Sequence, residues 1–252
     1  MSEGTVSEAP GGNAVILPPA GSRKRNDATF YLTMAIASTC LVFLGFARSY
    51  YLKPFFGAPA LRPLLHVHGA AFTVWMLIFV TQAALIATNR RALHRQLGYA
   101  AAFFAAVIIV LGLVVAFSAE REGHGNPLLD PEQVFLVALG DIFTFAVFFS
   151  AGFLWRRHPE SHQRFMLLAV VAGLISAAIG RLPWTSGFPP ARGLVGLAFL
   201  FAGPVYDLVT RRRVHPVYLW GCLFSLVTLV PVRIALGATP AWHHIAKWLV
   251  GR

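Results

Sequence analysis

The chain has 252 residues, 57% of them hydrophobic and only 12% charged, with a formal net charge of +11 and a mean hydropathy of +0.65. Soluble domains carry about 25% charged residues, so this balance leaves no room for a soluble catalytic domain. The positive charge does not point to nucleic acid, because Lys and Arg cluster at the ends of apolar segments, where they set membrane topology and meet anionic head groups.

Met1–Thr29 is rich in Gly, Pro, Ala and Ser and ends near the basic run Arg23-Lys24-Arg25. Its apolar patch, Ala14–Leu17, is too short for a signal-peptide core, and the segment reads as a disordered cytoplasmic tail. Beyond it come seven stretches near the ~20 apolar residues that a bilayer-spanning helix needs. They are Phe30–Arg48, Leu64–Ala87, Gly98–Ser118, Gln133–Trp155, Arg164–Arg181, Ala191–Val209 and Val217–Leu236. The expected fold is therefore all-α, a polytopic seven-helix membrane bundle over residues 30–236. The remaining segment, 237–252, carries Trp242, Ile245 and Leu249 at helical spacing and reads as an interfacial helix.

Every second connector is basic. Arg23, Lys24 and Arg25 precede the first span; Arg90, Arg91 and Arg95 separate the second from the third. Arg156, Arg157 and Arg164 follow the fourth, and Arg211, Arg212 and Arg213 the sixth, whereas Ala119–Glu132 is acidic. The positive-inside rule then places the N-terminus inside and the C-terminus outside. Aromatic residues fit the same frame, with Tyr31, Tyr99, Trp155, Tyr218 and Trp220 at the inner level and Tyr50, Tyr51 and Trp184 at the outer. The three basic turns share an Arg/His pattern that fits a divergent hairpin repeat and equally fits selection for positive charge inside.

Topology gives each polar residue a depth. Asp207, near the inner end of the sixth span, is accounted for by an i,i+4 ion pair with Arg211 at the surface. Asp141 lies about eight residues inside the fourth span, ~12 Å deep, and needs an internal partner or a proton; it reads either as a proton-linked carboxylate or as a structural hydrogen-bonding group. Arg48, His66, His68, Arg181 and Arg233 fall at a similar outer level, together outlining a polar pocket open to the outside. His66 and His68 point roughly 200° apart on a helix and cannot readily share a metal. His66 lies on a small-residue stripe with Gly69, Ala70 and Thr73, which suits an inward face. Each histidine reads as a cofactor ligand or as a packing residue.

On the inner side, His94 and His162 hold matching positions ahead of the third and fifth spans, with His158 and His215 nearby. They read as interfacial capping groups or as the two axial ligands of a haem b. Cys40 and Cys222 lie within apolar segments and read as packing residues. The sequence lacks CxxCH, HExxH, a Walker loop and GxGxxG, and its lysines, Lys24, Lys53 and Lys247, all lie outside the spans, so a retinal Schiff base is excluded.

His66–Gly69, Gln82 and Leu93-His94-Arg95-Gln96-Leu97-Gly98 resemble the His…Gly…LHR-x-LG pattern of a bacterial family of predicted multi-pass membrane proteins of unknown function. His162-Gln163-Arg164-Phe165-Met166 with Arg181-Leu182 is similar to its H-x-R-x-M…RL stretch. The likeness covers about residues 60–185. It implies a multi-pass inner-membrane architecture and picks out His94, His162 and Arg181, but no reaction.

Three functions compete on this reading. One is a redox membrane protein holding haem b or a quinone head group through its histidines and the arginines Arg48, Arg181 and Arg233. The second is a proton-linked transporter or small-molecule binding protein using Asp141. The third is an accessory subunit of a larger membrane complex.

Overall fold

The computed structural model describes residues 20–124, 129–183 and 190–251, with side chains from residue 25 onward. Residues 1–19 of the expected tail and the expected belt residue Trp184 lie outside the described residues, as do the side chains of Arg23 and Lys24. The fold is all helical: α1 (Ala20–Phe46), α2 (Pro63–Ala87), α3 (Arg91–Arg121), α4 (Pro131–Leu154), α5 (Pro159–Gly173), α6 (Ser176–Ile179), α7 (Pro190–Arg211), α8 (Pro216–Val227), α9 (Val230–Gly237) and α10 (Pro240–Val250). A π-helical turn, Ala47–Tyr51, and a 3-10 turn, Lys53–Phe56, link α1 to α2.

Seven helical stretches are long and apolar enough to cross a membrane: Arg25–Tyr51, Pro63–Ala87, Arg91–Arg121, Pro131–Leu154, Pro159–Ile179, Pro190–Arg211 and Pro216–Gly237. The expected seven-helix membrane bundle is thus the observed one. Its outer surface is apolar, with Phe103, Val110, Leu194, Val209 and Trp220 all exposed, as a lipid-facing surface requires.

Most of these helices run beyond the apolar stretches that announce them. The reason is local: α2, α4, α5, α7, α8 and α10 each begin on a proline, whose fixed φ suits the first helical position and whose missing N–H is not needed there. Thr239 caps α10 by accepting from the Trp242 N–H, and Asp130 caps α4 in a reciprocal box with Gln133. At the N-terminus the correction is larger. Residues 20–29, expected as unstructured tail, belong to α1, because Asp27 and Phe30 find partners on α7.

The fifth span is the hub, with over half of its apolar window buried against between a tenth and a third for the others. Leu167, Leu168, Ala169, Val170 and Val171 are all buried, and α5 packs on α1, α4, α7 and α8. Small residues permit this crowding. A Cβ on Gly173 would sit 2.6 Å from the backbone nitrogen of Phe145, so α4 and α5 touch backbone to backbone there.

The seventh span is broken. Helix α8 ends at Val227, the Thr228 hydroxyl donates to the Phe224 carbonyl, and α9 restarts with Pro231 in its first turn. The break separates two packing duties: α8 lies against α5 and α7, while α9 lies against α4. Helix α10 then packs across α3, α4 and α9, with Ala246 and Val250 buried and Ile245 and Trp248 exposed.

Candidate functional sites at the two ends of the bundle

At the end away from the arginine-rich turns, Asp141 and Arg233 find each other. The restart at Pro231 brings Arg233 against α4, where Nη1 donates to Asp141 Oδ1 at 2.8 Å and to the Val137 carbonyl at 2.7 Å. The Ser176 hydroxyl of α6 donates to the other Asp141 oxygen. Gly140 makes the groove for the arginine, since a Cβ there would meet Arg233 Cδ at 2.3 Å. A buried carboxylate is tolerated when paired in this way. The three groups tie α4, α6 and α9 together, with both Asp141 oxygens engaged.

The other members of the expected outer layer do not join this pair in one pocket. His66 is exposed, as is Ala70 of the stripe beside it; Gly69 leaves room for the Tyr50 ring, the Tyr50 hydroxyl donates to the His66 carbonyl, and Thr73 shares a hydrogen bond with the Tyr51 hydroxyl. An inward His66 side chain is therefore corrected: Gly69 and Thr73 pack, while the exposed imidazole keeps only the edge of the bundle, its ring centre 6.0 Å from that of Tyr50. His68 is half-buried, lies 4.4 Å from the Phe72 ring one turn on, and leaves a shielded Nδ1 without a hydrogen bond. The Arg48 guanidinium lies 5.0 Å from the Phe56 ring centre. Arg181 donates to the Ala177 carbonyl and lies 4.8 Å from the Phe46 ring centre. Two open surface clefts lie elsewhere among the described residues. One of about 460 Å³ lies between the start of α2 and the end of α3, lined by Leu64, Leu113, Val114 and Phe117 with Ser118, Arg121 and Glu122; the other, of about 290 Å³, lies beside α10.

At the arginine-rich end, Arg164 and Asp207 form a second and deeper pair. Both are fully buried, and the guanidinium grips the carboxylate with two arms, Nε to Oδ2 at 2.9 Å and Nη2 to Oδ1 at 2.7 Å. Asp207 also accepts from Arg211 at 3.0 Å and from the His215 backbone N–H at 3.2 Å. Arg211 reaches Asp27 at 2.6 Å, and the Tyr206 hydroxyl donates to the same aspartate. Two arginines and two aspartates thus balance to zero charge between α1, α5 and α7. The expected i,i+4 pair of Asp207 with Arg211 is present, but its surface setting is corrected: Asp207 is buried, and its main partner is Arg164, forty-three positions earlier. The signal was present on α5, where Arg164 shares a face with Leu167, Leu168 and Val171 at i+3, i+4 and i+7. Tyr218, expected in a lipid-facing belt, is buried and shares a hydroxyl–hydroxyl hydrogen bond with Tyr31.

Near this network His94 and His162 come together, their ring centres 6.1 Å apart and their planes near perpendicular. Because α3 starts at Arg91 and α5 at Pro159, both histidines lie within the first turn of a helix, and neither precedes it. His162 Nδ1 donates to the Gly152 carbonyl at 2.8 Å, so its Nε2 keeps a lone pair. His94 Nδ1 sits 3.3 Å from the Gln82 backbone carbonyl. The Gln82 side-chain amide also reaches it: oriented so that its oxygen accepts from the Gly98 N–H, its nitrogen lies 2.7 Å from the same Nδ1. His94 therefore has two tautomers available, one donating to the carbonyl and one accepting from the amide. Each of the first two hairpins thus sends a histidine back to the preceding helix. The third does not: His215 caps its own helix, its Nδ1 accepting from the Val217 N–H at 3.2 Å. Partial burial, then the Arg164 charge, hold the His215 imidazole below its ordinary pKa.

Cys40 and Cys222 are both free; Cys222 is buried in the core with its thiol directed at the Leu200 carbonyl, as a packing residue should be, whereas the packing reading of Cys40 is corrected, because it is exposed on the bundle surface. No protein-family model, no curated protein and no solved structure matches the chain.

Proposed function

We propose that this chain is a membrane redox protein that carries a haem b between His94 and His162. The observation that supports this reading is the facing pair of imidazoles on α3 and α5. Two metal–nitrogen bonds of ~2 Å plus ~1 Å from each nitrogen to its ring centre span ~6 Å, the separation a ligated metal needs, and the rings stand 6.1 Å apart. Metal-binding histidines characteristically donate their second nitrogen to a backbone carbonyl; His162 does so, and His94 does so in one of its two tautomers.

Gly98 lies beside the Gln82 amide, and Gly152 beside Met166. Gln82 and Met166 are flexible side chains able to swing aside, and withdrawal of the Gln82 amide is also what leaves His94 in its donating tautomer. Exposed arginines at the neighbouring turns, Arg90, Arg91, Arg95, Arg156 and Arg157, supply cations for the two propionates. When bound, such a group supplies one-electron transfer; the protein's part is to hold the iron and set its dielectric surroundings. The arginine-rich end faces the cytoplasm in this reading. The two stretches that resemble the bacterial family contain His94 and His162, which adds support. Asp141, with both oxygens held, favours a structural tie over a proton carrier.

Absorption spectra of the detergent-purified protein, expressed with ample haem supply, test the proposal. A Soret band that sharpens with α and β bands on reduction is expected. It should be lost in His94→Ala and in His162→Ala while His68→Ala keeps it, with gel filtration confirming that all three fold. A wild-type protein that folds without any Soret absorbance overturns the reading.

A further inference from the structure

Helix α10 is placed so that a second set of ligating groups converges, far from the histidine pair. Asp130 and Glu132 stand at the start of α4, and His243 comes from α10; one ligand atom of each lies within 4.8 Å of the others. One Asp130 oxygen is occupied in capping, accepting from the Gln133 N–H at 2.8 Å, which leaves Oδ2 free. His243 Nε2 is shielded from solvent, has no hydrogen-bond partner, and lies 3.8 Å from that free oxygen, beyond hydrogen-bond reach. The arrangement is held in place by its neighbour, since Trp242 Nε1 donates to the Glu132 carbonyl at 2.7 Å. A cleft of about 290 Å³ lined by His243, His244, Lys247, Ala238 and Pro240 opens beside it.

The geometry points to a divalent transition-metal site made by Asp130, Glu132 and His243, which fastens α10 to the first turn of α4. One imidazole and two carboxylates form a mixed nitrogen–oxygen donor set of the kind that takes zinc, manganese or ferrous iron. Zinc bonds to nitrogen and oxygen run ~2.0–2.2 Å, so the three ligand atoms need only side-chain rotations to close on an ion, with water completing the shell. The His243 nitrogen, shielded and in ion-pair range of Asp130 but without a hydrogen bond, is the group that a purely packing role leaves unexplained. An ion here adds a link between the last helix and the bundle, and therefore stabilises the folded chain by mass action.

The test uses the full chain in detergent, without a polyhistidine tag and washed with a chelator, titrated with zinc chloride by calorimetry and by thermal unfolding. One zinc per chain and a rise in melting temperature are expected. His243→Ala should weaken binding by roughly tenfold or more and abolish the thermal shift. Glu132→Gln, which keeps the backbone carbonyl that Trp242 needs, should weaken it too. His244→Ala lines the same cleft but lies outside the donor set, and should bind as the wild type does. Melting temperatures of the metal-free variants show that each is folded. Absence of stoichiometric zinc uptake by the wild type, or undiminished uptake by His243→Ala, overturns the proposal.

Discussion

Arg164–Asp207 and Arg233–Asp141 both place an ion pair among apolar helices, yet they are built differently. The first is gripped by two arms, fully buried, and embedded in a charge-balanced network with Arg211 and Asp27. The second uses one arm, with Nη1 alone serving both the carboxylate and a backbone carbonyl, and depends on a broken helix to bring the arginine into reach. A pair that forms on the central helix can be compensated from several sides. Both pairs recruit backbone groups, Glu160 and His215 for the first and Val137 for the second, but where the first adds the charge of Arg211 the second adds the Ser176 hydroxyl. The general lesson is that depth decides how many partners a charge requires, because desolvation grows with burial while each partner returns only part of it.

The largest effect should come from breaking the inner pair. Arg164→Met leaves Asp207 buried without its main partner and should cost about 3–5 kcal/mol, read as lost folded yield or a collapsed melting temperature. The double substitution Arg164→Met with Asp207→Leu should recover most of that loss; if the double is as poor as the single, the uncompensated charge is not the cause. At the outer pair, Asp141→Asn keeps a hydrogen-bonding group opposite Arg233 and the Val137 carbonyl contact, so a smaller cost of about 1–3 kcal/mol is expected. An equal loss at both ends would erase the contrast drawn between them.

His215 sharpens the comparison at a lower level. Its neutral Nδ1 caps α8, so His215→Ala should cost about 1 kcal/mol while His215→Asn retains most of the cap. The sign of its pH dependence follows from the lowered pKa. The unfolded chain takes up the proton first, so the contribution is whole above about 6.5 and is lost as pH falls through the lowered folded value. Arg213→Gln, at an exposed position of the same turn, should leave that profile unchanged. The smallest effect belongs to Arg62 and Glu122, an exposed pair in the connectors at the end away from the arginine-rich turns. The Arg62 hydrogen bond holds the Glu122 carboxyl below its ordinary range, so any stabilisation is present above the usual glutamate pKa and lost as pH falls through the lowered one. Moderate salt should remove it, because exposed charges are screened.

Much of the frame was legible in the chain. Seven apolar stretches, the prolines that begin their helices and the Pro231 break all act locally, through hydrophobic length and backbone geometry. Asp141 and Arg233 were singled out by depth, though not as partners of each other. The pairing of Arg164 with Asp207 was missed because an arginine near a span end looks the same whether it snorkels outward or turns inward. His66 was misread for a related reason: Gly69 and Thr73 pack against Tyr50 and Tyr51, while Ala70 and the His66 ring stay exposed.

The sequence by itself determined that the chain is a seven-span helical membrane protein with one arginine-rich end, since span length and charge placement need no knowledge of neighbours. Tertiary structure alone decided which polar groups meet. His94 and His162 lie sixty-eight positions apart and Asp141 and Arg233 ninety-two, and only helix packing sets the rotation of each helix about its axis. That rotation turns one polar residue toward a partner and leaves the next facing lipid.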